Sequence, residues 1–283
     1  MWIYRTGGDA GRLGVTSMSR VLSLAGRSGF AIAIAAFGVI QIAAGDFVTR
    51  AVPHWPAWMP ARIVWVWIVG LLLVEAGSAL LLNIRTRLVA VLLGLALALS
   101  FVLLALPLAA TDTWLGGLWT NAGKVLALSG GAFLIAADAT GARRFRRLDA
   151  IVALARRWSV GPWCFAAFLV LCGIQHFIYV PFVASLIPAW MPGATFWVYF
   201  AGIALIAGGI GVTIPRTRWI AGVLSGTMIF SWVFLVHIPR ALASPPGTTN
   251  ETVAVFEALA MSGIGWLIAA SASSSAAMPT SSR

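Results

Sequence analysis

Four polar side chains in the second half of the chain could carry out chemistry at one level of a membrane. Gln175 and His176 are adjacent, His237 lies farther along, and Glu257 lies near the start of the last apolar run. Imidazole and carboxylate groups can hydrogen-bond to a quinone headgroup and exchange protons with it. These residues therefore predict an outward-facing pocket for a quinone or another small ligand. Interfacial anchoring and interhelical hydrogen bonding are the alternative interpretation.

Other redox and metal chemistries fit the sequence less well. Two histidines and one glutamate at long separations form no metal motif, so we predict no metal site. A haem held by His176 and His237 is a further alternative that no other residue supports. Cys164 and Cys172 lie eight residues apart in one apolar run. On a helix that spacing is about 12 Å, which is too long for a disulfide. The sequence assigns no catalytic residue and requires no cofactor.

Two ionisable residues lie inside apolar runs of the first half, Glu75 and Lys124. An unpaired charge near the centre of a membrane costs about 2.5–3.5 kcal/mol on insertion scales. We therefore expect Glu75 to be protonated, or paired with Lys124 or with an arginine of the Arg85–Arg87 turn. Both residues are candidates for a ligand or proton site, and a structural contact is the alternative.

The composition explains why these polar residues stand out. The 283 residues are 60% hydrophobic and 10% charged, with a mean hydropathy of +0.95. Soluble domains carry roughly 25% charged residues. The sequence therefore predicts an all-α protein embedded in the lipid bilayer. The net charge of +11 comes from short basic clusters between apolar runs, which are topology signals and do not indicate binding to nucleic acid.

Eight apolar runs are long enough, or nearly so, to span a bilayer about 30 Å thick. The predicted spans are 29–47, 62–83, 88–110, 122–139, 160–180, 195–214, 219–239 and 253–271. With the N-terminus inside, 15 of the 19 Lys and Arg residues lie in inner segments. Only Arg50, Arg62, Lys124 and Arg240 then lie outside. This bias predicts a multi-pass protein with both termini cytoplasmic. The membrane that we expect for it is the bacterial inner membrane.

An internal repeat organises the eight spans. The stretch PAWMP occurs at Pro56–Pro60 and again at Pro188–Pro192, and Arg85–Arg87 recurs as Arg216–Arg218. Matches at nearly constant offset indicate duplication of a four-helix unit, and an even number of spans makes the two units parallel. PAWMP itself is interpreted as an interfacial anchor. The recurrence also argues that the first span is not a cleaved signal peptide.

The repeat defines the predicted domain boundaries. A basic cytoplasmic segment, 1–28, precedes unit 1 at 29–140; a basic linker, 141–159, leads to unit 2 at 160–271; and 272–283 is a disordered tail. The linker is interpreted either as an amphipathic helix on the membrane face or as an ordinary loop. The spacings Gly70–Gly77 and Gly202–Gly209 place each glycine pair on one helix face and predict close helix packing.

Two stretches of the first half resemble the DoxX/DoxD-like membrane family. They are GLLLVEAGSALLLNIRTRLVAVLLGLALALSFVLLALP, which contains Glu75 before a Thr-Arg turn, and LWTNAGKVLALSGGAFLIA, which contains Lys124. Members are commonly single four-helix units, so the resemblance implies a tandem fusion. The second half departs from the pattern, with Ala207 at the glutamate position and Glu257 at the lysine position.

The resemblance implies a function at the membrane. The family includes a subunit of a thiosulfate:quinone oxidoreductase and membrane partners of redox-defence enzymes. We therefore expect a membrane subunit of a quinone-linked or redox-defence oxidoreductase system, with redox enzyme subunits as partners and quinone as the candidate ligand. A non-catalytic scaffold or small-molecule carrier is the alternative. A parallel repeat suits a carrier, but no span shows a paired proline break in its middle.

Overall fold

A computed structural model of the chain describes residues 7–48, 50, 60–139, 146–245 and 248–276. This part of the chain is helical and contains no strand. Two π-helical turns, Phe101–Ala105 and Val233–His237, join α3 to α4 and α10 to α11. The helices are α1 Gly7–Ala44, α2 Arg62–Leu81, α3 Thr86–Ser100, α4 Leu106–Ala109, α5 Gly117–Asp138, α6 Arg146–Arg157, α7 Val160–Ile178, α8 Val180–Leu186, α9 Ala194–Thr213, α10 Arg218–Trp232, α11 Ile238–Ala243 and α12 Asn250–Ala276.

Eight helical stretches among the described residues are long and apolar enough to cross a membrane. The fold is therefore that of an all-α, multi-pass membrane protein, as the sequence predicts. The stretches are Ser17–Ala44, Arg62–Leu81, Thr86–Ala109, Gly117–Asp138, Val160–Ile178, Ala194–Thr213, Arg218–Ala243 and Asn250–Ser273.

Several element boundaries differ from the prediction. Helix α1 begins at Gly7, well before the predicted start at residue 29. Arg20 and Arg27 lower the hydropathy of this segment, but the segment is still helical. Long arginine side chains can reach water from a helix end, so they are compatible with this extension. Helix α12 continues to Ala276, beyond the predicted end of its span. Residues 277–283 and 51–59, the latter including the first four residues of the first PAWMP stretch, lie outside the described residues.

Helices α5 and α12 occupy the centre of the fold. In their most apolar windows 72% and 78% of residues are buried, against 28–44% in the other six spans. The six spans at the periphery of the bundle expose large apolar side chains, such as Leu72, Leu103, Phe196 and Leu224. Such a surface is stable against lipid but not against water. The two central helices also contact each other.

The surrounding helices pack on this centre in corresponding pairs. Helix α1 packs against α2 and α12, while α7 packs against α9 and α5. Helix α3 packs against α5 as α10 packs against α12. The first span of each half of the chain therefore packs against the fourth span of the other half.

Close helix contacts occur at the glycines that the sequence indicates. A Cβ atom added at Gly77 would lie 2.5 Å from the backbone nitrogen of Ala35 in α1. One added at Gly209 would lie 2.8 Å from Val170 in α7. Real Cβ contacts are longer, so a larger residue requires α1 and α2 to separate at Gly77, and requires Val170 to move at Gly209. The prediction of close packing at these pairs is confirmed.

The two π-helical turns have a common cause. Each is followed by a proline, Pro107 or Pro239, in the first turn of the next helix. Proline lacks an N–H, and its ring clashes with the carbonyl four residues earlier. A wider turn before the ring relieves that clash. The turns start 132 positions apart, the offset of the PAWMP stretches. A proline pair therefore exists, but it lies toward the end of its spans and not in the middle.

The linker between the halves contains helix α6, so the helical alternative describes it better than a loop does. Its Val152 is buried, and the helix packs against α3, α5 and α7. Arg87 Nη1 of α3 lies 2.6 Å from Asp149 Oδ1 of α6. The linker is thus tied to the first half by an ion pair as well as by apolar contact.

Candidate functional site

The centre of the candidate site is an ion pair between the two central helices. Lys124 Nζ in α5 lies 2.8 Å from Glu257 Oε2 in α12, and each side chain is 8% exposed. Lys124 also lies 3.3 Å from Asn121 Oδ1. Burial of a charge is costly without a partner, so the pair joins the two halves at this level.

The pair lies at matching depth in two helices that start at the same side of the molecule. Lys124 and Glu257 each follow the first residue of their helix, Gly117 or Asn250, by seven positions. At 1.5 Å per residue this is roughly 10 Å of rise from each helix start. The ion pair is therefore inside the helical bundle and within reach of its nearer surface.

A second cation faces the same carboxylate. Arg50 Nη2 lies 3.3 Å from Glu257 Oε2, and the arginine side chain is 35% exposed. The other carboxylate oxygen, Oε1, is buried and has no hydrogen-bond partner among the described residues. The Nε atom of Arg50 is likewise buried without a partner in that part of the chain. The site therefore contains an unused acceptor and an unused donor on two residues that contact each other.

His237 borders this cluster. It is the last residue of the second π-helical turn and is partly buried. Glu257 and Arg50 are its principal charged neighbours. Toward the surface, Arg240 forms a two-point ion pair with Glu251, with N–O distances of 3.0 and 2.8 Å. We use "outer cluster" for Arg50, Lys124, His237 and Glu257, after the side of the membrane that the sequence predicts for them.

Gln175 serves a different role nearby. Its amide nitrogen donates to the carbonyls of Leu115, at 2.5 Å, and Gly116, at 3.0 Å. Its amide oxygen accepts from Thr120 Oγ1 at 2.9 Å. These bonds fasten α7 to the loop that precedes α5. These bonds use both amide N–H groups of Gln175, which thereby supports the position of α5.

His176 and Glu75 lie away from the outer cluster. His176 Nδ1 is 2.7 Å from the Cys172 carbonyl of its own helix, and its Cβ packs toward Gly202 of α9. Glu75 is exposed on α2. The expectation that Glu75 could pair with Lys124 is wrong, because the α12 carboxylate provides the partner for that lysine. Of the four predicted pocket residues, His237 and Glu257 are neighbours, while the contacts described for Gln175 and His176 are with other residues.

Two neighbours of the ion pair were not among the predicted site residues. Arg50 was counted only as a topology signal, and no periodic pattern links a loop arginine to a helix two hundred residues later. Cys172, in α7, is the second neighbour and lies near Lys124 and Glu257. From the sequence alone it is only one residue of an apolar run. Among the described residues no three His, Cys, Asp or Glu side chains are grouped as metal ligands.

Comparison with known proteins gives one match. The model of a family described as a domain of unknown function, DUF8561, matches residues 165–271. This segment runs from α7 into α12 and contains His237 and Glu257, but neither Arg50 nor Lys124. No curated protein and no solved structure gave a significant match. The family match therefore covers less than half of the chain and carries no named activity.

Proposed function

We propose that this protein is an integral membrane subunit of a quinone-linked or redox-defence oxidoreductase system, and that its outer cluster binds the headgroup of a quinone. Any substrate oxidation would take place in a partner enzyme. The protein's own contribution is to hold the headgroup and to exchange protons with it through His237 and Glu257.

The unpartnered atoms of Glu257 and Arg50 carry this proposal. A quinol presents O–H donors, and a quinone presents carbonyl acceptors. Glu257 Oε1 can accept from the former, and Arg50 Nε–H can donate to the latter. Buried polar atoms are normally paired, so two unpaired atoms on contacting residues are best explained by a ligand that completes them. The positive charge of Arg50 and Lys124 also favours a headgroup that gains electrons.

We further propose that the chain is a tandem fusion of two parallel DoxX-like units related by a pseudo-twofold axis between α5 and α12. The equivalent contacts of α1 with α12 and of α7 with α5 support this interpretation. The two π-helical turns at an offset of 132 support it independently. On this axis Lys124 and Glu257 are equivalent positions that face each other.

The same interpretation includes cytoplasmic termini in a bacterial inner membrane. The outer side then contains equal numbers of acidic and basic residues, and its basic residues have acidic partners. The excess of positive charge lies at the inner side, in agreement with the positive-inside rule. The outer pairs are Arg62 with Asp46, Arg240 with Glu251, and Arg50 and Lys124 with Glu257.

The experiment is a quinone titration of the full chain in nanodiscs, after extraction and analysis of copurified quinone. His237→Ala removes a cluster member that forms no ion pair, so it tests the site with little risk to folding. His176→Ala is the matched control, since that histidine packs toward α9. We expect His237→Ala to weaken quinone binding about tenfold and His176→Ala to leave it unchanged.

Two results would count against the proposal. They are an absence of quinone in the purified protein together with no saturable binding, and equal effects of the two histidine substitutions. Respiration-linked oxidation in cells should follow the same order, with His237→Ala impaired and His176→Ala normal.

A small-molecule carrier is the second candidate function. The paired π-helical turns favour it, because irregular turns in equivalent spans can bend and can supply free backbone groups to a substrate. Flux of a labelled substrate across liposomes, lost in a Pro107→Ala/Pro239→Ala variant, would support the carrier. Quinone binding without flux would support the redox subunit.

A further inference from the structure

A cavity lined largely by polar side chains lies at the end of the bundle opposite the outer cluster. It measures about 130 Å³ and lies between the first part of α1, the turn from α2 to α3 and the end of α5. Arg20 and Arg27 line it, together with Asn83, Thr86 and Asp138. Polar walls of this kind require a hydrated or charged occupant.

The arginine closest to the protein interior is incompletely bonded. Arg27 Nη1 donates to Asn83 Oδ1 at 2.9 Å, and Thr86 Oγ1 donates to the same oxygen at 2.8 Å. Arg27 Nε is buried and has no hydrogen-bond partner within the described ranges. The amide oxygen of Asn83 is therefore engaged from two sides, while a guanidinium donor beside it is unused.

The charges around the cavity do not balance. Arg20 and Arg27 contribute two positive charges, and Asp138 contributes one negative charge while accepting a hydrogen bond from Ser23 Oγ. One excess positive charge remains. The N-terminus of α3, at Thr86, adds the positive end of a helix dipole. A single negative charge in the cavity would complete the balance.

We propose that this cavity binds the phosphate group of a membrane phospholipid. A phosphodiester carries one negative charge, and it offers acceptor oxygens to Arg27 Nε–H and to the guanidinium of Arg20. A cavity of about 150 Å³ holds a six-carbon ring, so this one has room for a phosphate group. The Leu24 side chain, 48% exposed at the cavity, provides apolar surface for the first carbons of an acyl chain.

The site goes beyond the proposed quinone site and is separate from it. On the proposed orientation it faces the cytoplasmic leaflet, where basic pockets between helices commonly hold lipid headgroups. The second half lacks the equivalent side chains: position 161, which corresponds to Arg27, is a glycine, and position 271, which corresponds to Asp138, is a serine. The lipid site is therefore specific to the first half.

The experiment uses the delipidated full chain in detergent. Dioleoylphosphatidylglycerol is titrated by native mass spectrometry and by thermal shift, with dioleoylglycerol as the same chains without phosphate. We expect the phospholipid to bind and stabilise, and dioleoylglycerol to do neither. Arg20→Gln/Arg27→Gln should weaken phospholipid binding about ten- to hundredfold, the usual effect of losing charge-assisted hydrogen bonds.

Three comparisons define the result. Arg216→Gln removes one charge at an exposed turn of the second half and should leave binding unchanged. Arg27→Lys keeps the charge but removes the unused Nε–H, and its affinity should be intermediate. Inorganic phosphate alone at millimolar concentration tests whether the ligand is a lipid headgroup or a soluble anion. If bound phosphate prevents the phospholipid from binding, the cavity is a phosphate site whose ligand is a soluble anion. Equal binding of both lipids, or undiminished binding by the double variant when its melting temperature without lipid is normal, would overturn the proposal.

Discussion

The buried ion pair between α5 and α12 yields a prediction whose size follows from its geometry. At 2.8 Å, opposite unit charges attract by about 6 kcal/mol if the effective dielectric constant is about 20. Desolvation offsets several kcal/mol of this for each ion, so the pair as a whole contributes little net stability. Removal of one partner leaves a buried charge, and we expect a loss of about 3–5 kcal/mol in the free energy of unfolding.

The two single substitutions should differ because of Arg50. In Lys124→Met the glutamate keeps Arg50 at 3.3 Å, so its charge remains partly compensated. In Glu257→Met the lysine and arginine face each other without an anion between them. We therefore expect Glu257→Met to lie at the upper end of the range and Lys124→Met at the lower end.

The double variant Lys124→Met/Glu257→Met completes the cycle. It removes both buried charges, while Arg50 can extend toward water because its side chain is already 35% exposed. We expect its stability to be within about 1 kcal/mol of the original protein. The charge-swapped variant Lys124→Glu/Glu257→Lys restores the pair but places the new lysine beside Arg50. It should reach full stability only with Arg50→Gln added.

Reversible unfolding in mixed micelles, followed by tryptophan fluorescence, measures all these variants. Single losses of about 3 and 5 kcal/mol, against a loss of at most about 1 kcal/mol in the double variant, predict a coupling energy of about 7 kcal/mol between positions 124 and 257. Additive single effects, with a coupling below about 0.5 kcal/mol, would refute it, since independent sites add within that limit. Equal stability of the two single variants would refute the role assigned to Arg50.

Three further predictions address other parts of the molecule. Gly26→Leu should disrupt packing of α1 on α12 and lower the melting temperature, since a Cβ at this position would lie 2.6 Å from the α12 backbone. The control Gly117→Leu should leave the melting temperature nearly unchanged, because a Cβ at Gly117 meets open space. Glu75→Leu should favour membrane insertion by about 3 kcal/mol in a glycosylation-mapping assay, and a loss of stability instead would indicate a polar partner on that face. Pro239→Ala should convert the π-helical turn to regular α-helix and thereby rotate His237. We expect quinone affinity to fall while the melting temperature stays similar.

Helix number and approximate position follow from the sequence because they depend on local composition. A run of apolar residues about 20 long identifies a span whatever it packs against. The helix ends depend on individual residues instead. Arg20 and Arg27 reduced the apparent first span, although helix α1 includes them. The proline pair was readable from Pro107 and Pro239, but the resulting π-helical turns required the backbone geometry.

The candidate site was less predictable because its contacts join distant parts of the chain. The sequence identified Glu257, Lys124 and His237 as costly residues in a membrane, and the structure brings the first two into contact. It could not indicate that Arg50 faces Glu257 across more than two hundred residues. Gln175 and His176 are adjacent, yet one fastens a loop and the other packs toward α9, since neighbours on a helix point about 100° apart.

The position of the ion pair gives the proposed duplication a physical consequence. In a symmetric pair of identical units, equivalent residues meet their own copies at the axis. A lysine would then face a lysine, or a glutamate a glutamate, and like charges buried together are unstable. A fused chain can place different residues at the two positions, as Lys124 and Glu257 are here. The same freedom allows an unshared histidine, His237, beside the pair and an unshared basic cavity in the first half. Fusion would thus allow one symmetric bundle to carry two different polar sites, one at each end.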